Sequence, residues 1–255
     1  MIFDSQAFAG KKYLVTGASS GIGKATAIGL AACGASIIAM GRDEVRTRET
    51  IALLAPSADH QVMIADFADA DAVATVVKDT ALQAGGIDGV FHGAGLELNL
   101  AIKMTKRANI DKIFAASVFS AFGIARALSF RGVIRDEGGS FVLMSSAAGL
   151  RGQTGMTAYS SSKAAIDGMV RSLAVEFAPR RIRVNSIASG GVTTEMHERM
   201  SKALPDSAME NYESKHLLGF GSPDDIVSAA MFLLSSGSTW ITGSTMVVDG
   251  GYSVR

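Results

Sequence analysis

Short runs of consecutive apolar or β-branched residues alternate along the chain with longer segments in which apolar and polar positions are mixed at helical spacing. The runs are residues 13–16, 36–40, 62–65, 89–92, 141–144, 183–187 and 246–248, and each reads as a strand buried on both faces. Between them, segments 22–33, 44–54, 70–83, 110–130, 158–177 and 224–234 are each long enough for a helix. Strand and helix in regular alternation predict an α/β fold: a doubly wound, seven-stranded parallel sheet with right-handed crossovers and helices on both faces. One interval breaks the rhythm. From Val192 to Gly221 the apolar residues Met196, Met200, Leu204, Met209, Tyr212, Leu217 and Leu218 are scattered among polar ones, with no strand and only a weak helical pattern. Two readings fit equally well: a substrate lid beyond the carboxyl edge of the sheet, or a surface helical hairpin packing its Met and Leu residues on the core.

Composition narrows the class. With 255 residues the chain fits one α/β domain spanning 1–255, and 48% hydrophobic against 19% charged residues argues for a packed core. Lysine plus arginine and aspartate plus glutamate both number 24, so no net charge draws the protein to nucleic acid or an anionic membrane. The first ten residues lack the basic start and apolar stretch of a secretory signal, and the most apolar run, residues 29–40, is too short for a membrane span. A lone cysteine, Cys33, allows no intrachain disulfide, and the four histidines show no ligand spacing, so no metal site is expected. Cytoplasmic localisation is the simplest expectation.

The first crossover carries the candidate binding chemistry. Thr16-Gly17-Ala18-Ser19-Ser20-Gly21-Ile22-Gly23 lies between the first strand and the first helix. Glycines there permit a tight turn and close approach to a pyrophosphate, and free N–H groups at a helix start favour an anion. Gly17, Ser19, Ser20, Gly21, Ile22 and Gly23 are therefore candidate dinucleotide contacts. At the end of the second strand stands Arg42, a bidentate partner for a 2′-phosphate, which favours NADP over NAD. The neighbouring Asp43 reads as the N-cap of the next helix. Asp66, ending the third strand, is expected near the adenine edge or as another helix cap.

The second constellation is catalytic. Tyr159 and Lys163 are four residues apart at a helix start and so share a face, while Ser145 and Ser146 end the fifth strand at the same sheet edge as the glycine loop. A neighbouring ammonium is expected to lower the tyrosine pKa from ~10 and suit it for acid-base work.

With these motifs in place, the chain resembles the short-chain dehydrogenase/reductase family in its compact branch, and is similar to 3-oxoacyl-carrier-protein reductases. The match runs from Lys11 to Tyr252: Thr-Gly-x-x-x-Gly-x-Gly at 16–23, Asp66, Ser145-Ser146, Tyr159-x-x-x-Lys163, Arg183-Val184-Asn185-Ser186 and the closing Val248-Asp249-Gly250-Gly251. The resemblance implies hydride transfer between a nicotinamide and a carbonyl or secondary alcohol carbon. Ser146, thirteen residues before Tyr159, would orient the substrate oxygen; Tyr159 would be the general acid, and Lys163 would bind the nicotinamide ribose. Phe67, Gly93, Ala94 and Gly95 would join the cofactor contacts, with Gly190, Val192 and Thr194 near the carboxamide. A homotetramer or homodimer is implied, with Ile113, Phe114, Phe119, Phe122, Met169 and Val170 as candidates for either interface or core.

Three departures stand out. His92-Gly93-Ala94-Gly95 replaces the usual Asn-Asn-Ala-Gly, Ser189-Gly190 replaces Pro-Gly, and Ser117 stands where a helix asparagine usually anchors a relay water. The expected substrate is a small carbonyl or alcohol compound, free or carrier-bound, with the Met, Leu and Tyr content of 192–221 favouring an apolar or aromatic ketone or 3-oxoacyl thioester over a keto-sugar. The competing class is a catalytically silent nucleotide-binding sensor, against which the intact Ser146, Tyr159 and Lys163 argue.

Overall fold

The computed structural model describes residues 3–56, 58–203 and 206–255. Seven parallel strands, β1 (Lys12–Thr16), β2 (Ser36–Gly41), β3 (Gln61–Ile64), β4 (Gly89–His92), β5 (Gly139–Ser146), β6 (Ile182–Ser189) and β7 (Thr245–Val248), form one sheet in the order β3-β2-β1-β4-β5-β6-β7. Side chains alternate between the faces, and both faces are covered, which explains why the strands are continuously apolar. Along β1, Leu14 enters one core while Tyr13 and Val15 enter the other; along β5, Phe141 and Leu143 oppose Val142 and Met144.

The helices are α1 (Gly21–Ala32), α2 (Glu44–Ala52), α3 (Ala70–Gln83), α4 (Arg107–Phe114), α5 (Ser120–Ser129), α6 (Thr157–Phe177), α7 (Glu195–Ala203), α8 (Asp206–Glu213) and α9 (Pro223–Leu234). Helices α1 and α9 pack together on one face, and α3, α5 and α6 on the other. Asp43 caps α2 by accepting from the Arg46 N–H at 3.1 Å, as its position predicted. The cap of α3 is Asp69, which accepts from Asp71 and Ala72 N–H, so Asp66 is not that cap; its carboxylate turns instead on the Ala68 N–H at 3.0 Å.

The helix expected at 110–130 starts earlier and is not uniform. Between α4 and α5 residues Ala115–Phe119 form a π-helical turn, so one helix runs from Arg107 to Ser129 with an inserted bulge. It has the length and apolarity of a membrane span, yet over half of its apolar window is buried in this fold. Ile113, Met169 and Val170 are core residues within the chain, whereas Phe119 and Phe122 are exposed and Phe114 packs at the edge of the core.

The weakly patterned interval, for which a substrate lid and a helical hairpin were both open, contains two helices, α7 and α8. Its ends are pinned together by a parallel bridge at Val192 and Gly221, with the Gly221 N–H donating to the Gly191 carbonyl at 2.9 Å. Leu204 lies outside the described residues, as do Met1 and the Met200 side chain.

A buried carboxylate ties the sheet to α6 beneath the site. Asp167, 5% exposed, accepts from Ser145 (2.9 Å), Ser186 (2.8 Å) and Thr245 (3.2 Å) hydroxyls, joining β5, β6 and β7 to one helix. Asp167→Ala leaves buried hydroxyls short of an acceptor and is expected to lower stability by about 1–3 kcal/mol. Denaturant midpoints measure this, and an unshifted midpoint would show that the network contributes nothing net.

Candidate active site

Strand order reverses between β1 and β4, and their following loops diverge at the carboxyl edge of the sheet, which opens a crevice there. The loop after β1 enters it through Gly17, whose φ of +68° is a left-handed conformation that favours glycine. Gly23 opens the first turn of α1 directly over that loop: a Cβ at this position would lie 2.3 Å from the Gly17 carbonyl oxygen. A groove of about 730 Å³ follows, lined by Gly17, Ser19, Ser20, Gly21, Ile22, Gly23, Arg42, Phe67, Gly93, Ala94, Gly95 and Thr194 among others. Asp66 is not in that lining.

The groove fits an anionic dinucleotide on an observation internal to the fold. Ser20, the N-cap of α1, makes no side-chain cap, and the Gly21 N–H at the helix start donates to the Glu195 carboxylate of α7 at 3.0 Å. A carboxylate thus stands where a phosphate oxygen would be received. Two cations missed by the motif reading, Arg46 and Arg199, also line the groove, and Arg46 lies 3.9 Å from Glu195. Arg46 was detectable as the residue one helical turn after Arg42. Asp43, the carboxylate nearest in sequence to Arg42, is engaged as a helix cap.

A second cavity of about 110 Å³ adjoins the groove, and both share Ile22, Gly93, Gly95, Thr194 and Met196. Ser146, Tyr159 and Lys163 line it together, with Gly190 and Val192 on the side of β6. The two serines of β5 diverge in use. Ser145 is consumed by Asp167 and the Lys163 carbonyl, whereas the Ser146 hydroxyl accepts from the Ala148 N–H at 3.2 Å and has only a long 3.4 Å contact to the Ser189 carbonyl. The Lys163 ammonium donates to the Met144 carbonyl at 2.8 Å and lies 5.6 Å from the Tyr159 ring centre.

Electrostatics correct one expectation. Burial raises the Tyr159 pKa above the usual phenol value, the Glu97 carboxylate raises it further, and only the Ser146 hydroxyl opposes them. The anticipated lowering by the Lys163 ammonium does not occur, because desolvation of the phenolate dominates and the neighbouring Glu97 carboxylate adds to it. Lys163, itself desolvated, is brought down to about 8 despite Asp167 and Glu97.

The departures from the family pattern have structural answers. His92 is fully enclosed, and burial lowers its pKa to about 4, so it is neutral. Its Nε2–H donates to the Ser117 carbonyl at 3.0 Å, which leaves Nδ1 to accept from the Thr16 hydroxyl at 2.8 Å. It therefore clamps β1, β4 and the π-turn. That turn presents Ser117 inward: its hydroxyl is buried without a hydrogen-bond partner among the described residues. It lies 3.4 Å from where a Cβ on Gly95 would stand, as does the Lys163 ammonium. The loop that lacks proline is held by His216, whose Nε2 accepts from the Gly191 N–H at 2.9 Å. The other His216 ring nitrogen then carries the proton and donates to the Tyr212 carbonyl at 3.1 Å.

The α7–α8 segment contributes Met196, His197 and Tyr212 to the cavity wall, and Tyr212, His216, Phe220 and Tyr252 pack ring against ring behind it. Glu97 and Gln153 complete the polar lining.

The sequence model of the family described as enoyl-(acyl carrier protein) reductase matches residues 17–253. The chain is 36% identical over 250 residues to an L-xylulose reductase of Caenorhabditis elegans, covering 96% of this chain and 97% of that protein. It belongs to the short-chain dehydrogenase/reductase family. This oxidoreductase is also 33% identical to a Thermotoga maritima 3-oxoacyl-(acyl-carrier-protein) reductase, over 95% of this chain and 97% of that one. Among solved structures, an Agrobacterium tumefaciens protein, assigned as a 2-deoxy-D-gluconate 3-dehydrogenase and with NADP bound, superimposes with a TM-score of 0.86. Its identity is 28%, with 99% of this chain and 100% of that one covered.

Proposed function

We propose that this dehydrogenase/reductase is an NADP-dependent carbonyl reductase, interconverting a carbonyl compound and a secondary alcohol. The observation that carries the reading is the meeting of two spaces: a cavity lined by Ser146, Tyr159 and Lys163, and a groove built around the start of α1, joined at Gly93, Gly95 and Thr194. In reduction, the reduced cofactor NADPH, when bound, would supply the hydride and leave as NADP+. The backbone N–H groups from Ser19 to Gly23 would receive its phosphates, Arg42 and Arg46 would receive its 2′-phosphate, and Phe67, Ala94 and Gly95 would line its path. Thr194 lies where cavity and groove join, and Gly190 and Val192 line the cavity beside it, so these three would hold the carboxamide end.

In reduction, the Ser146 hydroxyl holds the substrate carbonyl oxygen and Tyr159 gives that oxygen its proton. Burial keeps Tyr159 as a phenol, which is the donor form. Lys163 would hold the ribose side of the cofactor; Ser117, whose hydroxyl is buried without a partner among the described residues, would hold a water that returns the proton. Two hydroxyls converging on one cavity favour a polarised oxygen as acceptor over a carbon–carbon double bond. The α7–α8 segment acts as a lid because its residues form part of the cavity wall. Exposed Phe119 and Phe122 on the π-turn and α5 fit an interface between copies of the chain.

Initial rates of NADPH and NADH oxidation with 3-oxoacyl thioesters, aromatic and cyclic ketones and keto-sugars test the reading. Oxidation with at least one class is expected, and tight nucleotide binding with silence across the panel would favour a sensor. In the same assay Arg42→Ala is expected to weaken NADPH binding about 10- to 100-fold, the value of a lost charged hydrogen bond, while leaving NADH nearly unchanged. Equal losses for both nucleotides would remove Arg42 from the 2′-phosphate.

A further inference from the structure

Glu97 is the one carboxylate among the cavity-lining residues. It lies on the loop after β4, two residues beyond Gly95, and is only partly exposed. None of the described residues gives it a hydrogen bond or an ion pair, although it shares the cavity wall with Ser146, Tyr159 and Lys163. A partly exposed carboxylate on the cavity wall that no described side chain or backbone group bonds is open to a donor carried by whatever fills the cavity. Its side chain does not line the neighbouring cofactor groove, to which Leu96 contributes instead. The partner is therefore to be sought in the substrate.

We propose that Glu97 is a specificity-determining residue that accepts a hydrogen bond from a substrate hydroxyl close to the reacting carbonyl, so that the enzyme selects neutral hydroxyketones. This rests on the carbonyl-reductase reading and names its substrate class. An acceptor-only carboxylate demands a donor, which a plain ketone or an aromatic ring lacks. The donor is a hydroxyl and not an ammonium, because Lys163 and Arg199 already set positive charge against Glu97. A substrate carboxylate or phosphate at the same spot would be repelled by Glu97. Burial raises the Glu97 pKa against the pull of those two cations, and the protonated acid would bond the same hydroxyl. Gln153, His197 and Tyr212 add further polar atoms to the wall, which turns the reading away from the apolar ketone that the composition of 192–221 suggested. Discrimination by hydroxyl recognition is steep where the site is built around it, because the analogue that lacks the hydroxyl strands the protein group.

The test is kcat and KM with NADPH for matched pairs of ketones, such as 1-hydroxybutan-2-one with butan-2-one and 2-hydroxycyclohexanone with cyclohexanone, in wild type, Glu97→Gln and Glu97→Leu. Wild type is expected to prefer the hydroxylated member by about 10- to 100-fold in kcat/KM, the effect of one hydrogen bond to a charged group. That ratio is expected to collapse toward one in Glu97→Leu and to be partly kept in Glu97→Gln, which retains an acceptor. NADPH affinity, read by fluorescence titration, is expected to be retained in both variants and reports that the cofactor groove is intact. A preference that survives in Glu97→Leu overturns the assignment to Glu97. Equal rates on both members of each pair, or a preference for an aminoketone or a keto acid, overturn hydroxyl recognition while leaving carbonyl reduction standing. Silence of wild type on every ketone, hydroxylated or not, overturns both.

Discussion

Replacing Tyr159 by phenylalanine is expected to reduce kcat for carbonyl reduction by roughly 10²- to 10⁴-fold, the range for loss of a positioned proton donor, with NADPH affinity nearly unchanged. The substitution deletes one oxygen and keeps the ring, which is 8% exposed and packs with Ile113, Ala148 and Met156 in a small core cluster of its own. The fold therefore has no reason to respond, and the loss reports chemistry. Ser146 remains to hold the substrate oxygen, so KM is expected to move much less than kcat. Single-turnover rates beside a nucleotide titration separate the two effects. A variant that keeps wild-type kcat would remove Tyr159 from the acid-base role, and with it the argument that burial maintains the phenol for donation.

The second large effect is expected at Gly23. A methyl group there would meet the Gly17 carbonyl oxygen at 2.3 Å and its carbon at 2.7 Å, both backbone atoms that cannot swing aside as a side chain can. Gly23→Ala must push the glycine loop away from α1, at a cost of about 1–3 kcal/mol for forced overpacking. The same displacement spoils the alignment of the N–H groups at the helix start, so NADPH and NADH binding should both weaken by about 10- to 100-fold, as for one lost charged hydrogen bond. This contrasts with Arg42→Ala, which discriminates between the nucleotides. Calorimetric titration with each nucleotide, together with a thermal melt, measures both consequences, and unimpaired binding would sink the cradle.

Much of the architecture was legible because its causes are local. Residues 70–83 and 89–92 read from sequence as the helix and strand that form, since period and capping act within a few positions. The glycine loop, Arg42, Ser146, Tyr159 and Lys163 announced themselves by residue type and by place after a strand or at a helix start. Other features carried no local signal. The π-turn at Ala115–Phe119 has the same apolar residues as a regular helix, and its bulge is seen only with His92 bonded to the Ser117 carbonyl. Helices α7 and α8 were blurred because Met196 faces a cavity and Tyr212 joins both that cavity and an aromatic cluster, so neither lies on a single core stripe. Glu97 was passed over as one acidic residue in a loop.

The sequence by itself determined the alternation of buried strands and amphipathic helices, the glycine cradle and the tyrosine–lysine pair, because periodicity, turn chemistry and four-residue spacing are properties of neighbouring positions. Tertiary structure alone decided which apolar residues are core and which are free, separating Ile113 from Phe122 on one continuous helix. It alone also decided that Glu97 lines the cavity that Tyr159 and Lys163 share, and that burial raises the tyrosine pKa where a lysine four residues away suggested the opposite. Desolvation and Coulomb energy depend on distances through space, and residues 97, 159 and 199 are brought to one place only when the sheet is complete.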